Sequence, residues 1–368
     1  MWGFNIGGIG KCFLLYDQLN QSSDHLKITT ACINLQNIKF DLSPLHEIGA
    51  EIIDIKNRQD LSWLTKCKCL IDQVNPDLIF THAFNGPVVV TALKLRYKLH
   101  IPFVCSYHGE YHAPSQLRKI VAPFFNMNMH YLFRKHALGV VCVCEYSKRF
   151  LITRKIPPKK IHFVHNGLEF CEPPQPNHSL RNELKIAPES TIIGVASRID
   201  PVKGLKFLLD AAEKLISNGT KIDIIIAGEG SSLDSLKKQA QDLNIISNIH
   251  FVGFQTDMTP WLATFDIFVL PSLAEYHSIA LLEAMRAQKA IVASSVGGNT
   301  ESVRHEKEAL IVPPSNATAL YTALHRFIES HDLRFKLAVA ARKRFEENFT
   351  EDITKEKLAS WLLSFKSK

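Results

Sequence analysis

Pro271-Ser272-Leu273-Ala274-Glu275-Tyr276-His277-Ser278-Ile279-Ala280-Leu281-Leu282-Glu283-Ala284-Met285 is the stretch on which the fold turns. The apolar run before it, Phe265 to Leu270, reads as a strand buried on both faces, as in a parallel sheet. From Ile279 to Ala290 the chain is rich in Ala, Leu, Glu, Met and Arg, and reads as a helix. A short polar loop separates the two. A helix that opens at the carboxyl end of a parallel strand presents free first-turn N–H groups and its positive dipole end. An anion such as a diphosphate binds there. Glu275 lies in the loop, and Glu283 follows about two turns into the helix. A carboxylate repels phosphate, so these two are expected to accept hydrogen bonds from hydroxyls, such as those of a sugar and a ribose.

The alternation of strand and helix extends on both sides. Upstream, strands are expected at Thr191 to Ala196, Ile222 to Ala227 and Ile249 to Val252, with helices at Gly204 to Ser217, Leu233 to Leu243 and Asp257 to Thr264. Downstream come strands at Ala290 to Ser294 and Ala309 to Val312, then three helices. An earlier series has strands at Lys27 to Cys32, Glu51 to Ile55, Leu78 to His82, Pro102 to Gly109, Leu138 to Cys144 and Lys160 to Val164. Such alternation builds parallel sheets. The proline-bearing stretch Glu169 to His178 reads as a stiff linker. The fold class is therefore α/β, with two doubly wound Rossmann-like domains facing across a cleft. Residues 1–170 are expected to form the first domain and residues 178–345 the second. Residues 346–368 are expected to form a helix that packs back toward the first.

The ends of these strands carry the other candidate residues. Ser197-Arg198-Ile199-Asp200-Pro201-Val202-Lys203-Gly204 follows the second domain's first strand. Arg198 offers a planar donor fork and Lys203 a point charge, and five residues apart in one loop both can face a diphosphate. The region holds no Asp-x-Asp pair for Mg²⁺, so no metal is expected. His108 ends a strand of the first domain, where it can hydrogen-bond a sugar or donate to a leaving phosphate. His82 is placed similarly and reads as structural. Glu229, between Gly228 and Gly230, and Glu301 are further cleft candidates. Near the start, Gly7, Gly8 and Gly10 with Lys11 form a glycine-rich turn that lets a ligand approach the backbone. Only Met1 to Phe4 precede it, too short for a strand. The first strand is thus expected to be missing, through truncation or a misassigned start.

Composition narrows the class. With 46% apolar and 21% charged residues the chain has the make-up of a soluble globular protein. No apolar run reaches membrane-spanning length, and no signal peptide is evident. The eight cysteines are scattered, with no Cys-x2-Cys pair, which fits a reducing cytoplasm. Charge is uneven. Residues 118–160 hold ten Lys and Arg against the single acid Glu145, in a chain of net charge +7. An anionic partner is expected, with a membrane surface favoured. Nucleic acid is not expected, because the basic run carries no recognised binding motif.

These motifs together resemble a retaining glycosyltransferase of family 4, with the two-domain GT-B architecture. The resemblance rests on Gly7-Gly8 with Gly10 and Lys11, His108-Gly109, Asn166-Gly167, Arg198 with Lys203-Gly204, Gly228-Glu229-Gly230, Glu275 with Glu283-Ala284-Met285, and Val312-Pro313-Pro314. They cover nearly the whole chain in the family's order. The resemblance implies that Arg198 and Lys203 bind the donor's diphosphate, that Glu275 meets the donor sugar or lies behind the reacting centre, and that Glu283 holds the ribose. It implies that backbone amides around Ser278, Ile279 and Ala280 meet sugar and phosphate, and that His108 lies near the transferred sugar. Tyr276-His277 and Gln288-Lys289 depart from the family's usual residues.

The expected activity is metal-independent transfer of a hexose-type sugar from a nucleotide-diphosphate donor to a glycan or lipid-linked acceptor. No cofactor is expected beside the donor. Polysaccharide or lipopolysaccharide biosynthesis is the implied setting, with the protein cytoplasmic or peripheral at the inner face of a membrane. Two alternatives stay open: a nucleotide-sugar epimerase, and a truncated, non-catalytic binding protein of the same architecture.

Overall fold

The computed structural model describes residue 19 and residues 26–35, 43–55, 60–82, 86–110, 116–176 and 178–365. The chain divides into two compact units, Met1–Gly167 together with Glu351–Lys368, and Leu168–Thr350. The division thus falls before the proline-bearing stretch, which lies in the second unit. The glycine turn at Gly7, Gly8 and Gly10, and the segment before it, lie outside the described residues.

In the first unit, β1 (Ala31–Leu35) pairs in parallel with β2 (Glu51–Ile55). A second parallel sheet runs β3-β4-β5-β6, with β3 at Ile79–Thr81, β4 at Phe103–Tyr107, β5 at Gly139–Cys142 and β6 at Ile161–Phe163. Every residue of β4 and β5 is buried, as in parallel strands covered on both faces. The helix Glu351–Leu363 supplies part of this unit's core. Its Leu358, Trp361 and Leu362 pack with Val104, Val141 and Val164. The Trp361 ring stacks on His162, centroids 6.0 Å apart and planes 9° from parallel. The strand expected over Lys27 to Cys32 is displaced to Ala31–Leu35, because the five-residue pairing with Glu51–Ile55 sets its span.

The second unit holds one six-stranded parallel sheet. Its strands are β7 (Thr191–Ala196), β8 (Ile222–Ala227), β9 (Ile249–Gly253), β10 (Ile267–Leu270), β11 (Ala290–Ser294) and β12 (Leu310–Val312). The order is β12-β11-β10-β7-β8-β9. One face packs Ile193, Val195, Ile224 and Ile226 against helices that contribute Leu208, Leu209, Leu215, Leu324 and Phe327. The other packs Ile192, Ile225, Phe268 and Ile291 against Leu281, Leu282, Met285 and Phe345. Each such side chain contributes roughly 1.5–3 kcal/mol by leaving water.

The helix expected over Ile279 to Ala290 ends at Arg286. Ala and Leu favour continuing it, yet Gln288 turns left-handed at φ +53, Lys289 N donates to Ala284 O, and Ala290 joins the sheet opposite Ile267. Strand pairing overrides helix propensity there. Two short helices, His178–Glu183 and Asn299–Ser302, fall where the sequence reading assigns no element. Among the described residues no helix is long and apolar enough to cross a membrane.

Candidate active site at the strand ends of the second unit

β7 is bonded to β8 on one side and to β10 on the other, and successive strands are laid down outward from it in both directions. The strand order reverses at this point, so the loops after β7 and β10 part and leave a crevice at their carboxyl ends. The loop after β7 carries Arg198 and Lys203, and the loop after β10 carries Glu275.

Backbone bonds fix the loop after β7. Ser197 N donates to Ala227 O at 3.1 Å, Ile199 N to Glu229 O at 2.8 Å and Ser232 N to Ile199 O at 2.8 Å. The Gly228-Glu229-Gly230 turn is thereby laced to it. A Cβ on Gly228, at φ +147, would stand 1.9 Å from Ser197 O, so only glycine fits this approach. Asp200 ties the loop further. Its carboxylate accepts from Ser231 N at 3.2 Å and Ser231 Oγ at 3.0 Å, and its other oxygen is 2.6 Å from Arg198 Nη1. Arg198 is thus oriented from behind while its side chain remains 70% exposed. Asp200 escaped sequence reasoning, although it stands two residues from Arg198.

Lys203 closes a 3-10 turn, Pro201–Lys203, and Gly204 follows at φ +66. A Cβ on Gly204 would meet Pro271 O at 2.2 Å, and Leu273 N donates to Val202 O at 2.7 Å. The two loops are therefore joined backbone to backbone. Lys203 Nζ reaches Glu275 Oε1 at 2.5 Å, with both side chains largely buried. Ser272 Oγ donates to the same carboxylate oxygen at 2.8 Å. Ser294, at the end of β11, donates to Ser272 O at 2.5 Å, and Asn299 Nδ2 donates to Ser294 O at 3.1 Å. Ser272, Ser294 and Asn299 are fully or almost fully buried. None of the three was assigned a role from sequence, since a buried serine or asparagine leaves no periodic signal.

Ser278 caps the helix Ile279–Arg286, its Oγ accepting from Leu281 N at 3.4 Å. Ile279 and Ala280 form the first turn, where backbone N–H groups lack helical partners. Glu283 is buried at 6% exposure on the next turn. Arg198, Lys203, Glu275, Ser278, Ile279, Ala280 and Glu283 thus sit on two adjoining strand-end segments of one sheet. Glu229 is exposed at the tip of its turn, and Glu301 is half-buried in the Asn299–Ser302 helix.

His108 belongs to the first unit, just past β4. Its ring lies edge-on to His82, centroids 4.5 Å apart, and His82 Nδ1 is 2.8 Å from Ser106 Oγ. His108 Nε2 is buried with no hydrogen-bond partner among the described residues. Burial pushes the His108 imidazole down to about 4, so at neutral pH it is uncharged. A neutral imidazole donates one hydrogen bond and accepts one. Among the described residues no group of three or more His, Cys, Asp and Glu is arranged to hold a metal ion.

Residues 177–344 match the family model described as glycosyl transferases group 1, and residues 47–170 match that of glycosyltransferase family 4. The chain is 29% identical over 211 residues to a D-inositol 3-phosphate glycosyltransferase of Jonesia denitrificans, covering 54% of this chain and 50% of the relative. It is 27% identical over 194 residues to the UDP-Gal:alpha-D-GlcNAc-diphosphoundecaprenol alpha-1,3-galactosyltransferase of Escherichia coli, covering 51% of this chain and 50% of that one. The chain spans about half the length of the curated relatives it matches. The crystal structure of Anabaena Alr3699/HepE in complex with UDP-glucose superposes with a TM-score of 0.84 at 19% identity, covering 99% of this chain and 98% of that chain. Two parallel-sheet α/β units with such a neighbour make this the GT-B fold.

Proposed function

We infer the reaction from one premise, that the chain belongs to the group 1 glycosyl transferases, its first unit to family 4. It transfers a hexose-type sugar from a nucleotide-diphosphate donor to a glycan or lipid-linked acceptor, the latter met at a membrane surface. The setting is polysaccharide or lipopolysaccharide assembly. The observation that carries this reading is the placement of Arg198, Lys203 and the Ser278-capped helix start on the two loops that flank one strand-order reversal. Two fixed cations and a positive dipole end stabilise a diphosphate as charge develops on it, the term that most often dominates such catalysis. The leaving diphosphate needs no metal ion in this scheme.

The other residues take roles that their chemistry suits. Glu283, buried on the helix, accepts hydrogen bonds from ribose hydroxyls. Glu275 accepts from the donor sugar. It shares its oxygen with Lys203 and Ser272, so its position is set before the donor arrives. His108, held neutral by burial, hydrogen-bonds the transferred sugar and does not protonate the leaving group. Transfer proceeds with retention of configuration. Likeness to relatives that carry UDP-sugar names supports a uridine donor.

The test is hydrolysis and transfer across a panel of nucleotide sugars in excess chelator, with NMR of the product's anomeric proton. Release of nucleoside diphosphate with retained configuration is the expected result. An isomerised nucleotide sugar with no acceptor present would indicate an epimerase. Nucleotide binding without turnover of any donor would indicate a non-catalytic binding protein. Activity abolished by chelator and rescued by Mg²⁺ or Mn²⁺ would overturn the metal-independent scheme.

A further inference from the structure

In the second unit the helix His331–Asn348 packs against the helix Ile279–Arg286. Arg342, Phe345 and Phe349 recur at intervals of three and four residues, the spacing of one helical face, and all three are buried. Phe345 joins Leu281, Leu282 and Met285 in one apolar cluster. Phe349 meets the loop before the shorter helix, its ring 5.5 Å from that of His277. Arg342 meets the other end. Its Nη1 donates to Arg286 O at 2.6 Å, the last carbonyl of the helix. Such carbonyls lack helical partners, and a cation there also suits the negative end of the helix dipole.

The same guanidinium reaches a second segment. Leu168 is where the chain enters the second unit and Thr350 where it leaves. These two residues pair as a parallel bridge, and Leu168 N donates to Phe349 O at 3.0 Å. Just past the entry, Cys171 O accepts from Arg342 Nη1 at 2.7 Å, and the Phe170 ring centre lies 4.7 Å from the guanidinium. Arg342 Nε donates to Glu346. Arg286 adds a tie of its own, from Nη1 to Glu169 O at 3.1 Å. Arg342 is 5% exposed, and its Nη2 is buried without a hydrogen-bond partner among the described residues. Burying a guanidinium in this way costs stability that an apolar side chain of similar length would not. What the planar fork alone supplies is a simultaneous hold on carbonyls from two separate segments.

We propose that Arg342 is a positioning residue for the donor site. It fixes the helix Ile279–Arg286 from its carboxyl end, while the donor binds at the amino end and at Glu283. The helix is about 12 Å long, so Arg342 acts through it and not on the ligand. Glu283 stands three residues before the clamped carbonyl, and the first-turn residues Ile279 and Ala280 belong to the same rigid element. A slide or tilt of so short a helix moves the carboxylate and the amides together. Apolar packing at Phe345 is non-directional and resists sliding weakly. Hydrogen bonds from one guanidinium to two fixed carbonyls are directional and set the register.

Because this rests on the donor reading above, the experiment has one arm that needs no ligand. Amide hydrogen exchange is followed in the ligand-free full chain, wild type against Arg342→Met and Arg342→Lys. The expected result is exchange about tenfold faster at Leu282, Ala287 and Lys289, whose amides bond within or just after the helix, and at Leu168. Ile193 and Ile224, paired in the sheet, should be unchanged. The second arm is calorimetry with UDP at a temperature where every variant is folded. Affinity should fall about two- to tenfold, the equivalent of one hydrogen bond. Arg342→Lys keeps the charge but holds one carbonyl only, so it should fall between wild type and Arg342→Met. Should Arg342→Met fail to fold, Arg286→Met removes just the tie to Glu169 O and should speed the same amides to a lesser degree. Faster exchange confined to Leu168, with the helix amides unchanged, would overturn the proposal, as would UDP affinity equal to wild type in a folded variant. A wild-type chain that binds no UDP would overturn the donor reading alone, and the exchange arm would then decide the role of Arg342.

Discussion

Lys203 Nζ and Glu275 Oε1 stand 2.5 Å apart, joining the loop after β7 to the loop after β10 in the second unit. If a diphosphate binds at this point, it competes with the carboxylate for the same ammonium. Glu275→Gln keeps an oxygen for Ser272 but removes the competing charge. It should leave nucleoside diphosphate affinity equal or several-fold tighter while transfer falls sharply. Lys203→Ala should weaken that affinity about ten- to a hundredfold, matching roughly 1.5–3 kcal/mol for one charged hydrogen bond. Calorimetry with UDP measures both. Equal weakening in the two variants would mean that the carboxylate assists anion binding instead of competing with it.

Glu283 is buried on the second turn of the Ser278-capped helix. If it accepts ribose hydroxyls, Glu283→Ala should lower UDP affinity about tenfold or more. The loss should shrink for a 2′,3′-dideoxy nucleotide, which has nothing to donate. Calorimetry with both nucleotides decides the point, and unchanged UDP affinity removes Glu283 from the site.

Ser294 holds Ser272 O, and Ser272 in turn holds Glu275. Ser294→Ala leaves that buried carbonyl short of a donor and should cost about 1 kcal/mol of stability. Turnover should fall more than UDP affinity, because the lost hydrogen bond leads to the carboxylate and reaches the ammonium of Lys203 only through it. Ser294→Thr, which keeps the hydroxyl, should restore turnover. A KM-against-kcat comparison of the three proteins checks this, and a purely structural Ser294 would move stability alone.

Acid should destabilise the first unit in a defined window. Burial holds both His108 and His130 down to about 4, and for His130 the Arg154 charge adds to this. An unfolded histidine titrates near 6.5. Between these values the unfolded chain binds more protons than the folded one, so stability rises with pH from about 4 to about 6.5 and levels above. Thermal midpoints of wild type and His130→Phe across this range should show a shallower slope for the variant. Parallel slopes would assign the acid loss to other groups.

Much of the second unit was legible because its strands are continuous apolar runs. Thr191–Ala196, Ile222–Ala227 and Ala290–Ser294 coincide with expectation. Boundaries failed where a distant partner decides them. β1 starts at Ala31 because β2 is where it is, and the helix after Ser278 stops at Arg286 because Ala290 is needed in the sheet. At the site the same divide holds. Charged residues in strand-end loops, Arg198, Lys203 and Glu275, announce themselves. The chain of Ser272, Ser294 and Asn299 behind them does not, since contacts over some twenty residues of sequence follow only from the register of β10 and β11.

The helix Glu351–Leu363 belongs to the first unit although residues 168–350 separate it from the rest. On the ribosome this reverses the usual order of maturation, in which the amino-terminal domain folds first. The second unit is contiguous and can assemble as soon as it emerges. The first must wait with Val104, Val141 and Val164 uncovered until Leu358 and Trp361 have been synthesised. Nascent chains arrested before residue 351 should therefore expose this apolar surface to chaperones. A fusion partner placed directly after Leu363 would hinder the closing step.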